Sequence, residues 1–124
     1  MEEKKILIIE DHLATVEMLK AILETNGYKV ENALDGERGL KIAAAEKPDL
    51  VLLDIMLPIF DGIEVCKRLK NNPETAGIPV FIISVRGSTE NSKAAREAGA
   101  AEYIIKPFDP SKLLMTIDKY LRSA

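Results

Sequence analysis

Five polar residues interrupt or end runs that are otherwise apolar: Glu10 and Asp11 after "ILII", Asp54 after "LVLL", Ser84 after "VFII" and Lys106 after "YII". An ionised acid is costly to bury without a partner, so an acid ending the most apolar run in the chain calls for a chemical explanation. If the first and third runs lie side by side, Glu10, Asp11 and Asp54 converge. Two like charges about 4 Å apart repel by roughly 4 kcal/mol at an effective dielectric of about 20. Lys106 offers one compensating charge. Mg²⁺ suits the remainder, because it takes oxygen ligands from one or two carboxylates and keeps several waters. Zinc does not fit, since Cys66 and His12 are the only residues of their kinds and structural or catalytic zinc needs a cluster of them. His12 reads as a solvent-facing residue at a helix start. A nucleophilic carboxylate at Asp54, a divalent cation, the Lys106 ammonium and the Ser84 hydroxyl are the parts that phosphoryl transfer requires.

The elements that must hold these residues are legible from hydrophobic pattern. Five short runs at 4–9, 28–33, 49–54, 79–84 and 101–105 are rich in β-branched residues and mostly continuous, as expected of strands covered on both faces. "YKVENA" alone alternates and carries charge, which predicts an edge strand. Helical spacing fills the gaps. Leu13, Val16, Leu19, Ile22 and Leu23 make one stripe ended by Gly27. Leu40, Ala43 and Ala44 mark a weaker helix at 36–46, closed by Pro48. Asp61 with Glu64 predicts a capping box before Ile63, Cys66 and Leu69; Asp61 and Gly62 read as helix-start residues outside the site. Ala94, Ala95 and Ala98 give the helix at 89–98 little to bury, so it should be the most loosely packed. Asp109 and Pro110 open the last helix, which runs through Leu113, Leu114, Ile117 and Leu121. Strand and helix thus alternate five times, which predicts an α/β fold, a doubly wound five-stranded parallel sheet with helices on both faces. In such sheets ligands sit at the carboxyl ends of the strands, where the five polar residues fall.

Bulk properties narrow the class. A chain of 124 residues, 47% hydrophobic and 30% charged, is expected to form one domain over 1–124 with an ordinary core. A net charge of −3 with no basic stripe argues against nucleic-acid binding. "ILIIE" is too short for a signal peptide or membrane span, so a cytoplasmic location without membrane attachment is expected. Cys66 reads as a packed thiol.

Taken together, "IIED", "LLDIMLPIFDG", "FIIS" and "IIKPF", in this order and over essentially the whole chain, resemble the receiver domain of two-component response regulators. The resemblance implies a flavodoxin-like (βα)5 sheet of strand order 2-1-3-4-5. It implies that Asp54 accepts a phosphoryl group from the phosphohistidine of a sensor histidine kinase or histidine phosphotransfer protein. Glu10 and Asp11 would bind Mg²⁺, one directly and one through water, together with Asp54 and the backbone carbonyl of Met56. Ser84 would be the switch hydroxyl, Tyr103 the aromatic that turns inward with it, Lys106 the lysine that pairs with the phosphoryl group, and Lys106–Pro107 the cis peptide.

The role implied is a regulatory phosphoacceptor switch rather than an enzyme, catalysing only its own phosphotransfer and dephosphorylation. A downstream protein target would read the surface made by the helix at 89–98, the strand at 101–105 and the last helix. No output domain is expected within the chain, and the state would be a monomer or a phosphorylation-dependent dimer. Two positions depart from the pattern. Glu10 stands where aspartate is most common, and Val85 stands where a small residue is usual, which predicts slower phosphoryl turnover. Competing readings are a pseudo-receiver interaction module that is never phosphorylated, and a phosphatase of the haloacid-dehalogenase type. The latter typically needs a second acid at the position of Met56. A flavodoxin-like cofactor binder would need a phosphate-cradling loop where "EDHLAT" places negative charge.

Overall fold

Strands with apolar side chains at every position require cover on both faces, and the chain meets that requirement by winding helices around them. The computed structural model of the chain describes residues 3–58, 61–85 and 89–122. Ile59 and Phe60 of the "LLDIMLPIFDG" stretch lie outside the described residues. The order is β1 (Lys5–Ile9), α1 (Leu13–Thr25), β2 (Lys29–Ala33), α2 (Gly36–Glu46), β3 (Leu50–Asp54), α3 (Gly62–Asn71), β4 (Val80–Ser84), α4 (Thr89–Glu97), β5 (Glu102–Ile105) and α5 (Pro110–Leu121). The strands form one parallel sheet in the order β2-β1-β3-β4-β5, as expected. β2 is an edge, as its alternation predicts, and β5 is the other.

Because side chains alternate along a strand, the core divides in two. Leu7, Ile9, Val51, Leu53, Val80 and Ile82 pack with Ala43 of α2, Val65, Cys66 and Leu69 of α3, and Ala95 of α4. Ile6, Ile8, Leu50, Leu52, Phe81 and Ile83 pack with Val16, Leu19 and Leu23 of α1 and Leu113 and Ile117 of α5. The sheet is therefore sandwiched between α2, α3 and α4 on one side and α1 and α5 on the other.

Helix ends follow local chemistry. Asp35 caps α2 by accepting from the Arg38 N–H, and Asp109 caps α5 by accepting from the Ser111 N–H, with Pro110 in the first turn. Past α1, Gly27 at φ +89° lets the chain turn while the Gly27 and Tyr28 N–H groups satisfy the Glu24 and Leu23 carbonyls.

Two expectations need correction, the burial of Leu13 and the closing of the capping box, while the faces of α2 and α3 hold the expected residues and gain others. Leu13, in the first turn of α1, is 62% exposed, and the buried residues of the helix are Val16, Leu19 and Leu23. In α2 the residues facing the sheet are Gly36, Gly39 and Ala43, with Leu40 and Ala44 half-buried. In α3 they are Gly62, Val65, Cys66 and Leu69, with Ile63 only half-buried. Asp61 does cap α3, accepting from the Glu64 N–H at 3.0 Å, but the Glu64 carboxylate turns forward to Arg68 at 3.0 Å instead of closing the box. Along α4, Ala95 is buried and Ala94 half-buried, leaving this helix the small apolar face that the sequence predicts.

Candidate functional site

Glu10 and Asp54 meet because of strand register. Ile9 pairs with Leu53, so the next residues, Glu10 and Asp54, are neighbours at the carboxyl edge, projecting with the parity of Ile8 and Leu52. Both are buried, whereas Asp11 is exposed. One carboxylate oxygen from each of the three acids lies within 4.8 Å of the other two. Asp11 does not serve as a helix cap, since the N-cap of α1 is His12 and carries no capping side-chain bond.

Lys106 arrives from the end of β5, where its N–H donates to the Ser84 carbonyl at 2.7 Å. Its ammonium lies 2.9 Å from Glu10 Oε1 and 4.0 Å from Asp54 Oδ2. The other Glu10 oxygen accepts from the His12 N–H at 3.2 Å, and Asp54 Oδ1 accepts from the Met56 N–H at 3.2 Å. The two acids therefore differ. Burial pushes the Asp54 carboxyl up to about 7, helped by its hydrogen bond to Glu10 and by the charge of Glu10, which outweigh the Met56 N–H and Lys106. Burial also acts against ionised Glu10, but hydrogen bonds from Asp54, Lys106 and the His12 N–H outweigh it and hold this carboxyl below its ordinary range. Without a cation, Glu10 therefore carries the charge below about pH 7, where Asp54 keeps its proton.

Ser84 is fully buried at the end of β4, and Lys106–Pro107 is cis. Ile82 pairs with Tyr103 and Ser84 with Ile105, so Tyr103 and Ser84 are diagonal neighbours on the face covered by α3 and α4. The Tyr103 ring packs partly into that core. It also borders an open cleft of about 430 Å³ between α4 and β5, lined by Ser92, Ala95, Arg96 and Glu102 among others.

All seven residues singled out in the sequence thus lie at one edge of the sheet or on the strands that lead to it. What sequence did not reveal is that Lys106 pairs first with Glu10. Glu10 is one methylene longer than aspartate, which gives it the reach, and that length was the available signal.

Residues 6–118 match the response regulator receiver domain. The chain belongs to that family. As a receiver domain it is 40% identical over 119 residues to the alkaline phosphatase synthesis transcriptional regulatory protein PhoP of Bacillus subtilis, covering 96% of this chain and 49% of that protein. It is 39% identical over 118 residues to the DNA-binding dual master transcriptional regulator RpaA of Synechocystis, covering 95% of this chain and 49% of that one. The receiver domain thus spans about half the length of these curated relatives. Among solved structures, the CheY-like receiver domain protein of Methanospirillum hungatei superimposes with a TM-score of 0.89 at 36% identity, over 95% of this chain and 93% of that one. The acidic edge of the receiver domain presents hard oxygen donors suited to a divalent cation, and no described helix is long and apolar enough to cross a membrane.

Proposed function

We propose that Asp54 is the phosphoacceptor of a two-component phosphorelay, taking its phosphoryl group from a phosphohistidine on a sensor histidine kinase or histidine phosphotransfer protein in the cytoplasm. The observation that carries this reading is the meeting of Glu10, Asp11 and Asp54 around the Lys106 ammonium at the carboxyl edge of the sheet. In the transfer, an Asp54 carboxylate oxygen forms a bond to phosphorus as the phosphorus–nitrogen bond breaks, and the departing imidazole nitrogen takes up a proton. Hydrolysis returns Asp54 when a water oxygen attacks the same phosphorus, the bond from phosphorus to the Asp54 oxygen breaks and inorganic phosphate leaves.

The residues present fit Mg²⁺. Both oxygens of Glu10 are already engaged, by Lys106 and the His12 N–H, so Asp54, Asp11 and the Met56 carbonyl would hold the ion and Glu10 would act through water. When bound, Mg²⁺ supplies positive charge beside the transferred group. Lys106 would offer a second cation, within reach of both acids. Ser84, at the end of β4, would supply a hydroxyl to the phosphorylated state, and Tyr103 would turn into the cleft beside α4, whose small apolar face lets it shift. A protein target would read α4, β5 and α5. The whole-length activity of the relatives, including any DNA-binding output, is a separate property that this receiver domain would regulate.

Incubation with Mg²⁺ and a small acyl phosphate, followed by intact-mass measurement, tests the reading. One added phosphoryl group that is absent in Asp54→Asn supports it. No labelling with any donor would instead favour the unphosphorylated interaction module.

A further inference from the structure

We propose that Gly62 is a positioning residue for the phosphoacceptor site: it brings the first turn of α3 into backbone contact with the tip of β3 and so sets where Asp54 and the Met56 carbonyl stand. The inference rests on the reading of Asp54 as phosphoacceptor and extends it to a residue that has no polar side chain and touches neither cation nor phosphodonor.

Glycine is not needed at 62 for its backbone freedom, because its φ lies outside the left-handed region. It is needed for space. A Cβ at this position would stand 2.4 Å from the Asp54 carbonyl oxygen, 2.7 Å from Ile55 Cα and 3.0 Å from the Asp54 carbonyl carbon. All three are backbone atoms of the phosphoacceptor segment, so no rotamer change relieves the overlap. Gly39 offers the contrast: a Cβ there would meet only the side chain of Ile9, which can turn aside.

The contact is also bonded. The Gly62 N–H donates to the Ile55 carbonyl at 2.9 Å, and the Ile55 N–H donates to the Ile83 carbonyl at 3.1 Å. The tip of β3 is therefore clamped between α3 and β4. Asp61, through its bond to the Glu64 N–H at 3.0 Å, fixes the first turn of α3 that does the clamping. Immediately beyond the clamp, Met56 donates its N–H to Asp54 Oδ1, so displacement of the segment moves nucleophile and carbonyl ligand together.

With alanine at 62, the contact with the Asp54 carbonyl would have to open from 2.4 Å to at least 3.0 Å. A ligand set for Mg²⁺ tolerates little of this, since the ion demands near-octahedral oxygens at about 2.0–2.1 Å, and functional constellations need placement within about 0.5 Å. Gly62→Ala should therefore weaken Mg²⁺ binding by about tenfold or more. At saturating Mg²⁺ it should lower the maximal rate of phosphorylation by acetyl phosphate more than it raises the donor concentration for half-maximal rate.

The test is titration calorimetry with MgCl₂ on the full chain, with folding verified by circular dichroism and cooperative melting. Gly77→Ala is the control, since a Cβ at 77 meets nothing within 4 Å. Asp61→Ala is a second variant that loosens the first turn of α3 without adding atoms, and it should weaken Mg²⁺ binding by a smaller factor. A folded Gly62→Ala that binds Mg²⁺ as wild type does, while wild type takes up a phosphoryl group, overturns this inference alone. Should Gly62→Ala fail to fold, wild-type affinity in Asp61→Ala overturns it. A wild-type chain that binds no Mg²⁺ overturns the phosphoacceptor reading and this inference with it.

Discussion

Removing the charge of the proposed phosphoacceptor should make the metal-free protein more stable. In the fold, burial and the neighbouring Glu10 push the Asp54 carboxyl up to about 7 from its ordinary 3.8. Between those pH values the native protein holds a proton that the unfolded chain has lost, so stability falls as pH rises through the window and stays low above it. The displacement corresponds to about 4 kcal/mol. Glu10 acts in the opposite sense, because its carboxyl is held below its ordinary range and its ionisation returns part of that loss. Discounted by roughly half for solvent screening at the open sheet edge, the Asp54 displacement sets a penalty of about 2 kcal/mol at pH 8. Asp54→Asn keeps an oxygen to accept the Met56 N–H and gains an N–H to donate to Glu10, reproducing the protonated site at every pH. It should therefore gain about 2 kcal/mol at pH 8 in the presence of a chelator, raising Tm by about 8 °C for a chain of this size. Thermal and urea unfolding measure this. The gain should shrink near pH 5.5, where wild-type Asp54 carries its own proton. Excess Mg²⁺ should narrow it by stabilising wild type through mass action. An Asn variant no more stable than wild type at pH 8 without metal would refute the assignment of strain to Asp54.

The same proton competes with a cation, so the apparent Mg²⁺ dissociation constant should rise as pH falls below 7, approaching about tenfold per pH unit; a flat profile by calorimetry between pH 6 and 8 would contradict this. Lys106→Ala leaves buried Glu10 without the ammonium now at 2.9 Å and should cost about 3 kcal/mol in urea unfolding, with part restored by Mg²⁺; an unmoved midpoint would mean that the pair contributes nothing. Val85, 64% exposed next to buried Ser84, places an isopropyl group at the end of β4. Val85→Ala should lose its phosphoryl group a few-fold faster by intact mass, and an equal rate would clear Val85 of that role.

The strands were readable to within about a residue because continuous apolar runs have no other stable place than a doubly covered sheet. Helix C-termini were readable where a glycine such as Gly27 supplies the turn. Rotation of the helices was not readable, since 3.6-residue spacing gives a face but not what the face meets. Leu13 fits the stripe of α1 yet is exposed. In α3, contact of Gly62 with the backbone of Asp54 and Ile55 fixes a rotation that turns Val65 inward ahead of Ile63. Glu64 could have closed a capping box, but its carboxylate pairs with Arg68 one turn later instead.

Within the site, the meeting of Glu10 with Asp54 depends on β1 and β3 being neighbours. Strand order came from the family resemblance, because residue spacing alone left it open. The division of labour between the two acids was legible only as the extra length of Glu10, since it turns on burial and on which oxygens their neighbours reach. At 2.9 Å from Glu10 and 4.0 Å from Asp54, the lysine joins the bonds from Asp54 and the His12 N–H that hold Glu10 ionised, while burial and the charge of Glu10 leave Asp54 with the higher value. A carboxyl at about 7 is poised: protonated it is no nucleophile, yet only a modest added field is needed to ionise it. The same burial that makes Asp54 costly in the metal-free fold therefore ties its ionisation below pH 7 to a cation. An aspartate at the solvated end of a strand, ionised near its ordinary 3.8, would lack that condition.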